Sequence, residues 1–206
     1  MKLYLARHGR SKTNEPGGYW AYGPQSIPLS PEGERQAAQF AQDWQIKPDI
    51  FVASPYTRSI QTLAPLVRKF DAPVLTLPVQ EFTYWNLLMT PSEYAGRQAD
   101  LKRYWDQLDT LAKRGEGSEN FEEFLARVLA FRKWAAASPY NVCVCVSHGF
   151  FMHAFRLVMR TTAGPADSAD SRFSPKDLMR ELRDTLPESS YANLAVETYN
   201  FESQNA

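Results

Sequence analysis

The chain has 206 residues and a mass of 23.5 kDa, enough for one large domain with its own packed core. Its 23 Lys and Arg balance 23 Asp and Glu, so the basic excess of a general nucleic-acid binder is missing. Aromatics at 13 % argue against disorder, and the longest apolar run, residues 142–146, is far too short to span a membrane.

In chain order, residues 2–6 read as a first strand. Only four apolar residues lie between Lys2 and Arg7, too few for the core of a secretion signal. A soluble, cytoplasmic protein is therefore expected. Residues 15–29 form a Gly/Pro-rich loop carrying Tyr19, Trp20 and Tyr22. Ser30 followed by Pro31 is a cap with proline at the first helical position, and residues 32–46 carry the helix. Residues 49–53 read as a second strand. Residues 56–70 are helical, with a kink or break expected at Pro65. A third strand is expected over 74–79. A helix then runs from Pro91 to about Arg114, ended by Gly115 and Gly117.

Ser118 is placed as the cap of the next helix, whose stripe is Phe121, Phe124, Leu125, Val128 and Leu129. Residues 142–146, nearly all Val and Cys, suit a strand covered on both faces. The chain's two cysteines, Cys143 and Cys145, alternate on it and read as small buried hydrophobes. Helix 150–160, loop 161–172, a helix opened by Ser174-Pro175 through Leu178, Leu182 and Leu186, and a closing edge strand over 194–201 complete the chain. Alternating strands and helices predict a three-layer α/β/α sandwich. Its central sheet should be mostly parallel with an antiparallel edge strand. One domain over 1–206 is expected, with a helical insert at about 82–117.

Two of the three histidines obey one local rule. His8 and His148 each follow a strand and precede a glycine. Ligands of open α/β sheets bind beyond the carboxyl ends of the strands, so parallel strands would bring both rings to one edge. The other strands contribute Arg58, in the first turn of the following helix, and Glu81. The strand-end set is Arg7, His8, Arg58, Glu81 and His148. Two imidazoles and a carboxylate suggest zinc, but two guanidiniums repel a cation and give it no ligand. Guanidinium forks suit a phosphoryl group instead. A neutral imidazole between them can attack phosphorus, and a carboxylate can protonate the departing oxygen.

The chain resembles the histidine phosphatase superfamily, also called phosphoglycerate mutase-like. The resemblance is carried by residues 5–14, with Arg7-His8-Gly9 after an apolar strand and then Asn14. It is carried further by the P-L-S segment at 28–30 leading to Gly33 and Gln36, by Ser54-Pro55-Tyr56-Thr57-Arg58-Ser59-Ile60-Gln61-Thr62, and by Ser147-His148-Gly149. It implies a metal-independent phosphomonoester phosphatase with no cofactor. His8 would accept the phosphoryl group and Glu81 would be the general acid and base. Arg7, Asn14, Arg58 and His148 would bind phosphate. A phosphorylated small molecule is the expected substrate, with neither nucleic acid nor membrane as partner. Arg10, Ser26 and Phe82-Thr83-Tyr84-Trp85-Asn86 depart from the usual pattern.

Rival readings are a phosphoglycerate-type mutase, a protein phosphatase acting on phosphohistidine or another phosphoresidue, and a non-catalytic phosphate sensor. Glu15 and Glu119 compete with Glu81 for the acid role. His153 reads as a packing or surface residue. Arg10 is a solvated loop charge or the contact for a second substrate anion.

Overall fold

The computed structural model describes residues 1–15, 23–84, 91–161, 174–185 and 191–201, with the backbone alone over 91–98. The strands are β1 (Lys2–Arg7), β2 (Ile50–Ala53), β3 (Val74–Thr76), β4 (Val142–Ser147) and β5 (Val196–Asn200). The helices are α1 (Pro31–Asp43), α2 (Thr57–Phe70), α3 (Pro91–Gln107), α4 (Phe121–Ala137), α5 (Gly149–Thr161) and α6 (Pro175–Thr185). The strands form one sheet in the order β3-β2-β4-β1-β5. β1 to β4 run parallel and β5 pairs antiparallel with β1, the edge strand expected.

Strand alternation divides the core between the two faces of this sheet. Leu3, Leu5, Ile50, Val52, Cys143 and Cys145 pack with side chains of α3 to α6. Tyr4, Ala6, Phe51, Ala53, Val144 and Val146 face the other way, onto Ala41 of α1 and Leu63 and Leu66 of α2. Strands covered on both faces need apolar residues at every position, which is why β4 reads as unbroken Val and Cys. Both cysteines are buried free thiols, as expected of small hydrophobes.

Several boundaries differ from expectation. α2 runs unbroken through Pro65 and ends at Asp71 in a left-handed conformation. β3 is only Val74–Thr76, half the expected strand, because the chain turns at once: the Val79 amide donates to the Leu77 carbonyl. α3 stops at Gln107, where Leu108 takes φ +49°, rather than at the glycines beyond. The cap of α4 is Asn120, not Ser118. Asn120 Oδ1 accepts from the Glu123 amide at 2.8 Å, and the Glu123 carboxylate accepts from the Asn120 amide at 2.9 Å. Ser118 instead donates to the Gly115 carbonyl. His153 is a packing residue, buried and bonded to Thr185 and Arg156. Tyr19, Trp20, Tyr22, Leu186 and nearly all of loop 161–172 lie outside the described residues.

Candidate active site

The parallel register of β1 and β4 pairs Arg7 with Ser147, so the next residues, His8 and His148, leave the sheet side by side. The His8 amide donates to the Ser147 carbonyl at 3.0 Å. The two ring centroids lie 4.9 Å apart. β2 pairs with β4 on the other side, bringing Ser54 and then Arg58, in the first turn of α2, to the same edge.

Hydrogen bonding specifies the protonation of the His8 ring. A carbonyl only accepts, so His8 Nδ1, 2.7 Å from the Gly9 carbonyl, carries the proton. Nε2 therefore keeps its lone pair, and Arg58 Nε donates to it at 3.2 Å. Ser54 Oγ accepts from the Tyr56 amide at 3.3 Å and lies 2.7 Å from His148 Nε2. With the hydroxyl hydrogen turned to that nitrogen, the His148 proton resides on Nδ1. That nitrogen and Arg7 Nε are buried and have no hydrogen-bond partner among the described residues. Buried unpaired donors are costly unless a ligand accepts from them.

Electrostatics agree with neutral imidazoles. Burial, then the Arg58 guanidinium and more weakly Arg7, hold His8 well below the usual imidazole range against the Gly9 carbonyl. His148 is depressed by burial first, then by Arg58 and His8. Burial pushes Arg58 down to about 10, which leaves it charged at neutral pH. Its Nη1 donates to the Pro24 carbonyl at 2.9 Å, and its guanidinium lies 4.8 Å from the centroid of the Tyr56 ring.

Glu81 lies in the loop beyond β3 and joins the group through α5. Its Oε1 accepts from the Phe150 amide in the first turn of α5 at 2.9 Å and from the Phe82 amide at 3.2 Å. Burial raises its pKa, while Arg58, Arg7 and those two amides pull it back. Such a carboxyl keeps its proton to higher pH than an exposed one. Glu119 is the weaker candidate for the acid, being forked onto Arg127 at 2.6 and 2.8 Å. Glu15 pairs with Lys12 at 3.4 Å.

Arg7, His8, Arg58, Glu81 and His148 thus lie together. Asn14 is exposed, and its Oδ1 accepts from the Ser11 amide at 3.0 Å in a tight 3-10 turn. Arg10 is also exposed, with Nη2 on the Asn14 carbonyl at 3.3 Å. Other residues of the same motifs join the loops. Thr62 Oγ1 accepts from the Gly9 amide at 3.0 Å, Gln61 Oε1 from the Leu29 amide at 2.7 Å, and Gln36 Oε1 from the Arg10 amide at 2.9 Å. A Cβ on Gly33 would come 1.9 Å from the Arg10 carbonyl oxygen, so only glycine admits this approach.

Residues 191–195 support the site from behind, a contribution with no local motif to announce it. The Tyr191 carbonyl accepts from Arg7 Nη1, and Asn193 Nδ2 donates to the His8 carbonyl at 3.0 Å. Among the described residues there is no cluster of three or more potential metal ligands, and no helix is long and apolar enough to cross a membrane.

The profile of the histidine phosphatase superfamily (branch 1) matches residues 3–169, and the chain belongs to that family. Among solved structures, it is similar to the alpha-ribazole phosphatase of Shigella flexneri, with 23 % identity, 82 % of this chain and 83 % of that one covered, and a TM-score of 0.63. Similarity to a phosphoserine phosphatase of Entamoeba histolytica, solved with 3-phosphoglyceric acid, covers 97 % and 90 % at 18 % identity and TM-score 0.63. A mycobacterial glucosyl-3-phosphoglycerate phosphatase matches over 82 % of each chain at 20 % identity and TM-score 0.59. At such identities the likeness is one of fold. No curated protein matches the chain.

Proposed function

We propose that the protein is a phosphoric monoester hydrolase that works through a phosphohistidine at His8, on a phosphorylated small molecule. The observation that carries this reading is the lone pair of His8 Nε2 beside two buried, unpartnered nitrogens that can donate, His148 Nδ1 and Arg7 Nε. Phosphoryl oxygens would take those donors together with the Arg58 guanidinium, with Asn14 at the rim. Nε2 attacks phosphorus, and the ester P–O bond breaks. The departing oxygen takes the proton of Glu81 and leaves as an alcohol. Glu81, now a carboxylate, accepts a proton from water as that water attacks phosphorus. The N–P bond breaks, inorganic phosphate leaves, and His8 is neutral again. Every charge that develops faces a group already in place, which is the usual source of the largest rate gains.

The phosphatase names of the similar structures support hydrolysis over phosphoryl return to a second hydroxyl. In this reading residues 1–206 act as one domain, with 82–117 as its insert. Tyr104 and Trp105 of α3 support that, packing in the same cluster as Leu3 and Leu5. The test is phosphate release from a panel of phosphorylated metabolites and phosphopeptides, comparing native protein with His8→Ala. Release by the native protein alone is expected. Release by neither contradicts the hydrolase reading and favours a mutase or a sensor.

A further inference from the structure

We propose that Arg127, locked by Glu119, is a positioning residue that holds Glu81 in place at the phosphoryl site. The proposal rests on Glu81 as the proton donor and extends it to the groups that place that donor.

Glu81 follows a stretch with no ladder partner of its own, since β3 ends at Thr76. Arg127, on α4, reaches across to this stretch with three of its five N–H donors. Nη1 donates to the Pro78 and Gln80 carbonyls at 3.1 and 2.6 Å, and Nη2 donates to the carbonyl of Glu81 itself at 3.1 Å. The remaining two N–H groups hold Glu119, Nε at 2.8 Å and Nη2 at 2.6 Å. A guanidinium has five N–H donors, and all five are used. Glu119 grips the chain on the far side of Glu81: Oε1 accepts from the Thr83 amide at 2.9 Å, and its own amide donates to the Thr83 carbonyl at 2.8 Å. The pair therefore brackets Glu81 from both directions.

Burial makes the bracket rigid. The side chains of Arg127 and Glu119 are only 10 % and 17 % exposed. The guanidinium lies 4.7 Å from the centroid of Phe124 and 5.6 Å from that of Phe151, which sets the plane of the fork. Removing it would take the guanidinium from three carbonyls at once, leaving that of Glu81 only the Thr83 hydroxyl at 3.2 Å. A lysine offers one point charge and no fork, so it cannot reproduce the grip. Arg127 does not bond the Glu81 carboxylate. That group is faced by the Phe150 and Phe82 amides and by the Arg58 and Arg7 guanidiniums, with His8 and His148 across the site. The effect of Arg127 on the acid therefore acts through the main chain.

Leaving-group dependence separates positioning from general support of the fold. A nitrophenolate departs without a proton, whereas an alkoxide needs one, so only the second reaction reports on the acid. For Arg127→Met, kcat/KM on an alkyl phosphate, which covers phosphoryl transfer to His8 and not the later hydrolysis shared by all substrates, is expected to fall by up to ~10²-fold, the cost of a misplaced catalytic group. On p-nitrophenyl phosphate kcat/KM should change far less, because the shared hydrolysis of the phosphohistidine, in which Glu81 is the base, does not enter it. Glu81→Gln should show the same split. The double variant Glu81→Gln/Arg127→Met should be no slower than Glu81→Gln alone.

Glu119→Gln and Arg127→Lys keep most of the packing and should fall between, so the test survives if Arg127→Met fails to fold. Equal losses of kcat/KM on both substrates, or losses that add to those of Glu81→Gln, would overturn the proposal. If native protein hydrolyses neither substrate, the hydrolase reading fails, and placement is then read from the carboxyl ¹³C titration of Glu81. A midpoint moved down toward the ordinary carboxylate range in Arg127→Lys or Glu119→Gln, as water reaches the group, supports positioning. An unmoved midpoint overturns it.

Discussion

Arg58 Nε donates to His8 Nε2 at 3.2 Å, so the guanidinium orients the same lone pair that would attack phosphorus. The contact has an electrostatic consequence as well. After burial, Arg58 is the largest influence keeping the His8 ring neutral. In the proposed mechanism one residue would thus both prepare the nucleophile and offer donors to the phosphoryl oxygens.

The acid limb of kcat/KM should accordingly lie below the ordinary imidazole range, because only neutral His8 attacks. In Arg58→Met that limb should move up toward the ordinary range, and turnover should fall by ~10²–10³, the usual cost of a lost oxyanion donor. A pH–rate profile of both proteins checks each part. Stability follows the same sign. The folded pKa values of His8 and His148 are depressed, so their contribution is intact above the unfolded value of about 6.5 and is lost as pH falls through the folded values. Thermal melts from neutral to acid pH should show this loss.

Glu81→Gln separates activity from stability. Turnover of an alkyl phosphate should fall by ~10²–10⁴ with loss of the general acid. Stability should move the other way at neutral pH. Burial raises the folded pKa of Glu81, so the native carboxyl contributes most below the ordinary carboxylate range and loses that contribution as pH rises through the raised value. A neutral amide escapes that loss. The melting temperature of the variant relative to native protein should therefore rise between acid and neutral pH.

Ser54→Ala leaves His148 Nε2 buried without its partner. The cost of an unsatisfied buried group is ~1–3 kcal/mol. With the tautomer no longer specified, Nδ1 ceases to be an assured donor, so kcat should fall while the fold persists. Denaturant unfolding beside steady-state kinetics measures both.

Gly33→Ala tests how the first motifs are joined. The added Cβ meets the Arg10 carbonyl oxygen at 1.9 Å, and backbone on both sides must shift. Overpacking of this kind costs ~1–3 kcal/mol. The same shift should displace the loop carrying His8, lowering kcat together with stability. Equilibrium unfolding and activity of the variant check the pair.

The contrast between Arg58 and Arg127 shows what the sequence reveals. Arg58, His8 and His148 each follow a strand within a short motif, so local pattern and the strand-end rule locate them together. Arg127 meets carbonyls 46 to 49 residues earlier in the chain, and Tyr191 and Asn193 meet Arg7 and His8 from 184 and 185 residues away. No local spacing encodes contacts of that range. One signal was present: Arg127 follows Phe124 by three residues and precedes Phe131 by four, a charge on an apolar helix face. Glu119, just ahead of that helix, is its complement.

Element boundaries failed for equally local reasons. The Val74–Val79 stretch is apolar enough for a strand, yet β2 pairs only with Val74 to Thr76. Ser118 and Asn120 are both good caps, and only the reciprocal Asn120–Glu123 bonds decide between them.

The central claim is that the phosphoryl group passes through His8. Rapid mixing of native protein with a labelled substrate, followed by alkaline quench, measures it most directly. The account predicts a base-stable, acid-labile phosphoryl adduct that maps to His8, forms no slower than turnover and is absent in His8→Ala. Turnover with no adduct at any time, or with undiminished turnover in His8→Ala, would contradict it.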